Sequence, residues 1–334
     1  MPDQSAESRA AWRAHDGAQT LWVDQPAVPG LRLFLRRRAG PGEPVLFVHG
    51  ATLGSRLFDI PHPGASWMQA LAACGFDAYG VDVRGYGRSR PADGFPTDRP
   101  YARAGDAVED IACALAAIRE RRDGARVHLI GGSWGSITTA LYASDPARAS
   151  ALASLTLYAP IFAERNQPWI DLIADPEAPD RPNPALGAAR AVTEADMRAR
   201  WDSEIPHPDP TVWRDEAVFR ALIDASLADD PGAATRDPPA FLAPNGTLLD
   251  LWETFHGRPL YDPTRIRTPS LLLRGGADPT STRTDALALF DRLGAADKRY
   301  QEIAGGAHFI SAERRARQVF AASAGFLESI EREA

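Results

Sequence analysis

Residues 127–135 read Val-His-Leu-Ile-Gly-Gly-Ser-Trp-Gly, an apolar run that ends in a G-x-S-x-G motif centred on Ser133. The run Val127–Ile130 is typical of a buried strand, and the small residues Ser136–Ala140 are typical of the start of a helix. A strand, a sharp turn and a helix around this motif form a nucleophile elbow. Side chains in place of the flanking glycines would collide with the strand and the helix, while the central residue holds a strained backbone. The stretch therefore predicts that Ser133 is a nucleophile.

Further strands and helices alternate on both sides of this stretch. Apolar runs of strand length occur at Val45–Val48, Ala78–Val83, Leu155–Tyr158 and Ser270–Leu273. Stretches with helical character lie at Trp67–Cys74, Arg103–Arg122, Ser136–Ala143 and Asp285–Leu293. Continuous apolar strands suit a sheet that is covered on both faces, and the more amphipathic Thr20–Val23 and Leu31–Arg37 favour an antiparallel edge. The pattern predicts an α/β fold with a mostly parallel, doubly wound sheet.

The alternation stops after Pro160. Residues 161–260 are rich in proline and aspartate, show no convincing strand, and contain helical patterns near Thr193–Trp201 and Thr211–Leu227. A stretch of this length is improbable as an irregular loop in a compact protein. The sequence therefore predicts a core at 1–160 and 261–334, with a helical cap at 161–260 inserted between two strands of the sheet.

A serine hydroxyl is a weak nucleophile at neutral pH and needs a general base. Among the histidines, His308 alone follows the last predicted strand, in the glycine-containing loop 305–309. The base needs a carboxylate that fixes its tautomer. Asp278 follows the strand Ser270–Leu273 and is the expected partner, and Asp285, on the next predicted helix, is the alternative.

The negative charge that develops on a carbonyl oxygen under attack needs backbone N–H donors. The residue after the nucleophile, Trp134, is one expected donor. The other is expected from the loop after the strand Val45–Val48, where Ala51 follows His49-Gly50. Ala51 and Trp134 are therefore the predicted oxyanion hole.

With these residues in view, the chain resembles the α/β-hydrolase superfamily over about residues 20–330, apart from the cap. The resemblance rests on His49-Gly50, the loop Asp82–Ser89, the Ser133 elbow, Asp278 and His308, in the order that the superfamily shows. It implies that Asp82–Ser89 is a structural loop near the site. Within the superfamily, the elbow and this loop look like those of prolyl aminopeptidases, which carry His-Gly-Gly-Pro-Gly where this chain has His-Gly-Ala-Thr-Leu-Gly at 49–54.

The resemblance implies a serine hydrolase that cleaves a carboxylic ester, a thioester, a lactone or an amide through an acyl-serine. No metal or organic cofactor is needed for this chemistry. Alternatives are a prolyl-type aminopeptidase, an acyltransferase, and a non-catalytic hydrolase-like binding protein. Epoxide hydrolases and haloalkane dehalogenases are disfavoured because they use an aspartate nucleophile, whereas position 133 is serine.

Composition restricts the partners. The formal net charge is −7 and the isoelectric point is near 5.6, which argues against nucleic acid. Apolar runs long enough to span a membrane are absent from the sequence, and the first twenty residues lack the apolar run of a signal peptide. We therefore expect a cytoplasmic enzyme with a small-molecule substrate and no membrane or nucleic-acid partner.

The predicted cap is acidic. Residues 161–260 contain eighteen Asp and Glu and nine Arg, a net charge of −9. This balance favours neutral substrates over carboxylate-bearing ones, and Glu164 and Glu204 are candidates to face the pocket. Aromatic residues of this region either line the pocket or pack the core of the cap: Trp169, Trp201, Trp213, Trp252 and Phe255.

Overall fold

The computed structural model describes residues 13–15 and 17–333. Its strands are β1 (Arg13–His15), β2 (Ala18–Asp24), β3 (Arg32–Arg38), β4 (Pro44–Val48), β5 (Asp77–Asp82), β6 (Val127–Gly132), β7 (Leu152–Tyr158), β8 (Ala174–Asp175), β9 (Ala178–Pro182), β10 (Ala189–Thr193), β11 (Ala240–Pro244), β12 (Ser270–Gly275) and β13 (Lys298–Ile303). Its α-helices are α1 (Trp67–Ala73), α2 (Ala104–Arg121), α3 (Trp134–Ala143), α4 (Pro146–Ala149), α5 (Gln167–Ile173), α6 (Glu194–Glu204), α7 (Glu216–Asp229), α8 (Gly246–Phe255), α9 (Arg283–Arg292) and α10 (Ala316–Glu333).

Within the described residues, nine strands form one sheet in the order β1-β2-β3-β5-β4-β6-β7-β12-β13. From β5 to β13 the neighbouring strands are parallel, whereas β1, β2 and β3 are antiparallel and form one edge with β5. Every residue of β4, β5, β6 and β7 is buried, as expected for central strands covered on both faces. The mostly parallel α/β sheet and its antiparallel edge are thus confirmed.

The register of the parallel strands gathers their carboxyl ends at one edge of the sheet. Val48 of β4 lies beside Gly131 of β6, and Gly132 lies beside Tyr158 of β7. Gly275 of β12 lies beside Ile303 of β13. The loops that follow these strands therefore start from the same edge, where α/β sheets bind their ligands.

Between β7 and β12 lies a long segment, residues 159–269, which we call the insertion. The expectation that residues 161–260 lack strands is wrong, because β10 and β11 pair antiparallel with Ala191 opposite Leu242, and β8 pairs with β9. β8 has only two residues, and β9 and β10 are largely half-exposed or exposed, so these three lack the apolar run by which the core strands are recognised. β11 is short but mostly buried, and its sequence Ala-Phe-Leu-Ala-Pro is apolar.

Side-chain ion pairs attach the insertion to the sheet. Asp229, at the end of α7, is buried and accepts hydrogen bonds from Arg36 Nη2 at 2.7 Å, Arg56 Nε at 3.0 Å and Arg88 Nε at 3.0 Å. Burial raises the pKa of Asp229, but the guanidinium groups of Arg36 and Arg56 outweigh it and hold the pKa below its ordinary value. A carboxylate of the insertion is thereby held by arginines of the core.

The carboxyl-terminal elements complete the core and were not evident in the sequence. β13 reads Lys-Arg-Tyr-Gln-Glu-Ile and lies at the edge of the sheet, where only Ile303 is buried. α10 packs against α1, and its Ser323 Oγ accepts a hydrogen bond of 2.8 Å from Trp67 Nε1. None of the helices in the described part of the chain is long and apolar enough to cross a membrane.

Candidate active site

Ser133 lies at the tip of the turn between β6 and α3. Its backbone has φ 56° and ψ −121°, a left-handed conformation that costs a non-glycine residue on the order of 1–3 kcal/mol. The glycines beside it are required by space, since a Cβ on Gly131 would lie 2.3 Å from the carbonyl oxygen of Gly135, and a Cβ on Gly135 would lie 2.3 Å from that of Val48. The strand, turn and helix predicted around residue 133 are therefore present.

His308 and Asp278 complete a hydrogen-bonded chain with Ser133. Nε2 of His308 lies 3.0 Å from Oγ of Ser133, and Nδ1 of His308 lies 2.8 Å from Oδ2 of Asp278. His308 follows β13 and Asp278 follows β12, so that the parallel strands bring together three residues that are distant in sequence. This is the geometry of a nucleophile, a general base and a carboxylate that orients the base.

The local backbone holds Asp278 in place. Its Oδ1 accepts hydrogen bonds from the N–H groups of Thr280 at 2.8 Å and Ser281 at 2.9 Å, which leaves Oδ2 for His308. The alternative acid, Asp285, is occupied elsewhere. It accepts the N–H groups of Phe162, Ala163 and Glu164 at 2.7–2.8 Å and so holds the first residues of the insertion.

The charge of Asp278 decides the basicity of His308. Burial lowers the pKa of His308, but the Asp278 carboxylate, with a smaller contribution from Glu204, outweighs it and raises the pKa above the ordinary 6.5, while Arg200 opposes this rise. The imidazole is therefore a stronger base than a free histidine, and it is held by hydrogen bonds at both ring nitrogens.

The N–H groups of Ala51 and Trp134 have no hydrogen-bond acceptor among the described residues. Trp134 is the first residue of α3, where the helix leaves its N–H groups free. Ala51 follows β4, and its carbonyl oxygen accepts hydrogen bonds from Tyr86 Oη and Arg190 Nη2, both at 2.8 Å, which fix this loop. Both N–H groups are therefore free to donate, as the predicted oxyanion hole requires.

The ring of His49 forms hydrogen bonds that hold the same loop. Its Nε2 accepts the N–H of Val83 at 3.1 Å and its Nδ1 lies 2.9 Å from the carbonyl oxygen of Gly50, while burial lowers its pKa. The loop Asp82–Ser89 is structural, as expected, because Asp82 accepts hydrogen bonds from the N–H and Oγ of Ser55 at 2.8 and 2.6 Å. Neutral His49 thus links the loop of Ala51 to the segment after β5.

A sequence model of the family described as the alpha/beta hydrolase family matches residues 45–322, most of the chain. The chain belongs to the alpha/beta hydrolase family. No curated protein sequence matches it.

Solved structures with this fold include a bromoperoxidase from Bacillus anthracis, with a TM-score of 0.64 at 17% identity over 92% of this chain and 99% of that one. A thermophilic esterase from Thermogutta terrifontis has a TM-score of 0.64 at 18% identity, covering 94% and 99%. An esterase from Exiguobacterium antarcticum has a TM-score of 0.61 at 16% identity, covering 93% and 98%. At these identities the likeness concerns the fold.

In this alpha/beta hydrolase, Ser133 and His308 face a cavity with an empty volume of about 480 Å³. The core contributes the loop of Ala51 and Thr52, and the insertion contributes Trp169, Arg200 and Leu251. Within the described part of the chain, the other aromatic residues considered from sequence are absent from its wall. Trp201 packs against Phe219 and Phe309, whereas Phe255 stacks on Trp169.

Three polar residues of this wall were not predicted from the sequence: Tyr158, Thr280 and Arg200. Tyr158 donates a hydrogen bond of 2.8 Å to the carbonyl oxygen of His308 and thereby supports the loop of the base. Thr280 lies two residues after Asp278 and accepts a hydrogen bond of 3.0 Å from Trp169 Nε1. No motif marks Arg200, because it reaches the cavity only through the packing of α6.

Glu313 links the loop of His308 to the insertion. One carboxylate oxygen accepts the N–H of Ala307 at 3.0 Å, and the other accepts Trp201 Nε1 of α6 at 3.1 Å. Burial, together with smaller contributions from other carboxylates, raises the pKa of Glu313 to about 7. A carboxyl group that titrates near neutrality therefore lies between the base and α6.

A larger depression lies elsewhere on the surface, with an empty volume of about 1720 Å³ and a wall that includes His62, Arg317 and Phe320. It shares none of its described wall residues with the Ser133 cavity, so it is not assigned to the same chemistry. In the part of the chain that the structure describes, no group of three or more His, Cys, Asp or Glu side chains is placed to hold a metal ion.

Proposed function

We propose that the protein is a serine hydrolase that cleaves a carboxylic ester through an acyl-serine intermediate. The observation that carries the proposal is the hydrogen-bonded chain from Ser133 through His308 to Asp278, next to the free N–H groups of Ala51 and Trp134. Membership of the alpha/beta hydrolase family supports it. The proposed substrate is a small molecule.

In the first step, Oγ of Ser133 attacks the ester carbonyl and its proton passes to Nε2 of His308. Asp278 holds the proton on Nδ1 and stabilises the imidazolium that forms. The carbonyl oxygen becomes an oxyanion that accepts hydrogen bonds from the N–H groups of Ala51 and Trp134, and the dipole of α3 favours the same charge. His308 then donates its proton to the departing alcohol, which leaves an acyl-serine.

In the second step, His308 takes a proton from a water molecule, whose oxygen attacks the acyl carbonyl. The oxyanion forms in the same site, and the proton returns through His308 to Oγ of Ser133. The acid is released and the enzyme is regenerated. The insertion is proposed to act as a cap that selects the substrate, because it forms part of the cavity wall while the reacting groups belong to the core.

The experiment that tests the proposal compares kcat/KM for neutral aryl esters of increasing acyl length with kcat/KM for aryl amides of proline and other amino acids. We expect the esters to be cleaved and the amides to be poor substrates. A strong preference for free-amine amides, abolished when the nitrogen is blocked, would instead support the prolyl-type aminopeptidase. Faster loss of ester on addition of an alcohol, with formation of the new ester, would support the acyltransferase.

A further inference from the structure

Arg200 places a cation in the wall of the Ser133 cavity. The residue belongs to α6 of the insertion, and its guanidinium carbon lies 5.0 Å from the ring centre of Trp169 and 5.2 Å from that of Phe309. Nη1 donates a hydrogen bond of 3.0 Å to Oγ1 of Thr52, and Nε pairs with Oε1 of Glu204 at 3.2 Å. Nη2 has no acceptor among the residues that the structure describes. The aromatic rings and Thr52 therefore orient a guanidinium that keeps donors available to a ligand.

A second arginine strengthens the positive charge at this place. Nη2 of Arg190 lies 3.4 Å from the same Oγ1 of Thr52, and its Nη1 donates to Oδ1 of Asn245 at 3.1 Å. Burial lowers the pKa of Arg190, and the nearby charge of Arg200 lowers it further. No carboxylate in the described part of the chain forms an ion pair with Arg190, so that Glu204 alone balances the two arginines. A half-buried cation without a counter-ion is unfavourable, and an anion bound by the neighbouring Arg200 would offset part of this cost.

Of the two acidic residues of the insertion considered from the sequence, one lies away from the Arg200 guanidinium and the other pairs with it. Oε2 of Glu164, one of the residues considered from the sequence, accepts a hydrogen bond from Thr282 Oγ1 outside the cavity wall. Glu204, the other, pairs with Arg200 rather than standing free. The net charge of −9 over residues 161–260 favours neutral substrates, but the charged side chain that the insertion contributes to the cavity wall is the guanidinium of Arg200.

We propose that the substrate carries a carboxylate that Arg200 binds while the ester carbonyl lies at Ser133. This inference rests on the proposed ester hydrolysis. A guanidinium suits the role because its N–H groups match the two oxygens of a carboxylate. We take the substrate to be a small molecule, such as a monoester of a short dicarboxylic acid, because Arg200 and Ser133 belong to the wall of the same cavity. In the reaction the bound carboxylate is unchanged, the ester bond breaks, and water supplies the oxygen and the proton of the products.

The test uses two substrates of equal size: the 4-nitrophenyl monoester of glutaric acid and the 4-nitrophenyl ester of glutaramic acid, in which a neutral amide replaces the carboxylate. The spontaneous rate of each is subtracted. We expect the enzyme to prefer the anionic ester by roughly tenfold or more in kcat/KM, since a hydrogen bond to a charged group is worth about ten- to hundredfold. Arg200→Gln is expected to abolish the preference, and Arg200→Lys, which keeps the charge but not the planar fork, is expected to restore part of it.

Arg220→Gln is the matched control. Arg220 also belongs to the insertion and pairs with a carboxylate, Glu194 at 2.8 Å, but it is exposed and absent from the cavity wall. This variant is expected to keep the preference of the unmodified enzyme. Equal or faster cleavage of the neutral ester by the unmodified enzyme, or an unchanged ratio in Arg200→Gln, would overturn the inference.

A binding measurement separates this inference from the proposed function. Titration calorimetry with glutarate on the Ser133→Ala protein is expected to show binding that exceeds that of glutaramate and is lost when Arg200→Gln is added. If both esters remain uncleaved and a fluorophosphonate fails to react with Ser133, the proposed hydrolysis fails, while the titration still decides the anion site. If the neutral ester is cleaved and glutarate shows no advantage, the anion site alone fails.

Discussion

Two regions meet at the Ser133 cavity, and they are held in different ways. On the core side, backbone groups fix the reacting residues: the N–H of Ser133 donates to the carbonyl oxygen of Tyr158 at 2.9 Å, and backbone N–H groups hold Asp278. On the insertion side, the segment is held by side chains from distant parts of the sequence. Asp229, for example, accepts hydrogen bonds from arginines of the core. In the proposed function, the reacting groups are therefore fixed by the fold, whereas the selection of substrate would depend on side-chain pairs that can change without altering the sheet.

The largest effect is expected from Ser133→Ala in the core. We expect a folded protein whose ester turnover falls by about 10⁶, because the nucleophile, base and acid act as one unit. The double variant with His308→Ala should lose little more than either single variant. Steady-state kinetics on a neutral aryl ester measure this, with Ser150→Ala, an exposed serine, as the control. Turnover above a tenth of the original, or losses that add in the double variant, would contradict the assignment.

Asp278→Asn is expected to have the second largest effect, a decrease of about 10⁴ in kcat. The amide still accepts one of the N–H groups of the loop but stabilises the wrong tautomer of His308. Asp285→Asn, the control, removes a carboxylate that holds the start of the insertion and is expected to cost far less activity at a temperature where the variant is folded. Full activity of Asp278→Asn together with loss of activity in Asp285→Asn would show that Asp285, and not Asp278, is the carboxylate that orients His308.

Asp229→Asn tests the insertion side of the comparison. Removing the charge leaves Arg36 and Arg56 buried without their counter-ion, and breaking a buried ion pair costs about 3–5 kcal/mol of the free energy of unfolding. Urea unfolding measures the loss. Asp24→Asn is the control, since Asp24 pairs with Arg32 at the surface and an exposed pair contributes at most about 1 kcal/mol. Equal stability of the two variants would show that the insertion is held by other contacts.

A smaller effect is expected in the pH dependence of kcat/KM, to which residues of both regions contribute. His308 acts as a base only when it is neutral, so activity is expected to fall as the pH decreases through its pKa, with the midpoint above pH 6.5. Glu204 of the insertion raises that pKa, so Glu204→Gln is expected to move the midpoint to lower pH. The exposed Glu177→Gln should leave it in place.

Glu313 provides the check on this interpretation, because its pKa near 7 falls in the same range. If Glu313 sets the profile, Glu313→Gln removes the inflection. In that case any shift of the midpoint in Glu204→Gln does not arise from His308. We expect the inflection to persist in Glu313→Gln, since the protonation of His308 remains. Its disappearance would assign the pH dependence to Glu313, whose carboxyl group joins Ala307 to Trp201.

The same comparison explains what the sequence predicts and what it does not. Ser133, His308 and Asp278 were found because each follows a strand of the sheet and lies in a short segment with glycine neighbours, so that local pattern implies position. β13 was missed because an edge strand needs no apolar run. β10 and β11 were missed because their pairing joins residues about fifty positions apart, β10 has only one buried residue, and the apolar β11 follows a segment rich in proline and aspartate.

Arg200 shows the limit of local pattern most clearly. It contacts Thr52, which is 148 positions away in the sequence, and nothing in its neighbours distinguishes it from the other arginine of α6, Arg198. The net charge of the region does not show which charged side chain lies in the cavity wall, since most of its carboxylates lie on surfaces or in pairs elsewhere. A count over a hundred residues says little about one cavity, because charges act over about 8 Å at physiological salt.

The most direct test of the central claim is to trap the acyl-enzyme analogue. The protein is treated with a neutral fluorophosphonate, digested, and the modified residue is identified by mass spectrometry, with the Ser133→Ala and His308→Ala proteins treated in parallel. We expect one adduct on Ser133, none at this position in Ser133→Ala, and much slower labelling in His308→Ala. An adduct on another residue, or undiminished ester hydrolysis by Ser133→Ala, would contradict the claim that Ser133 is the nucleophile.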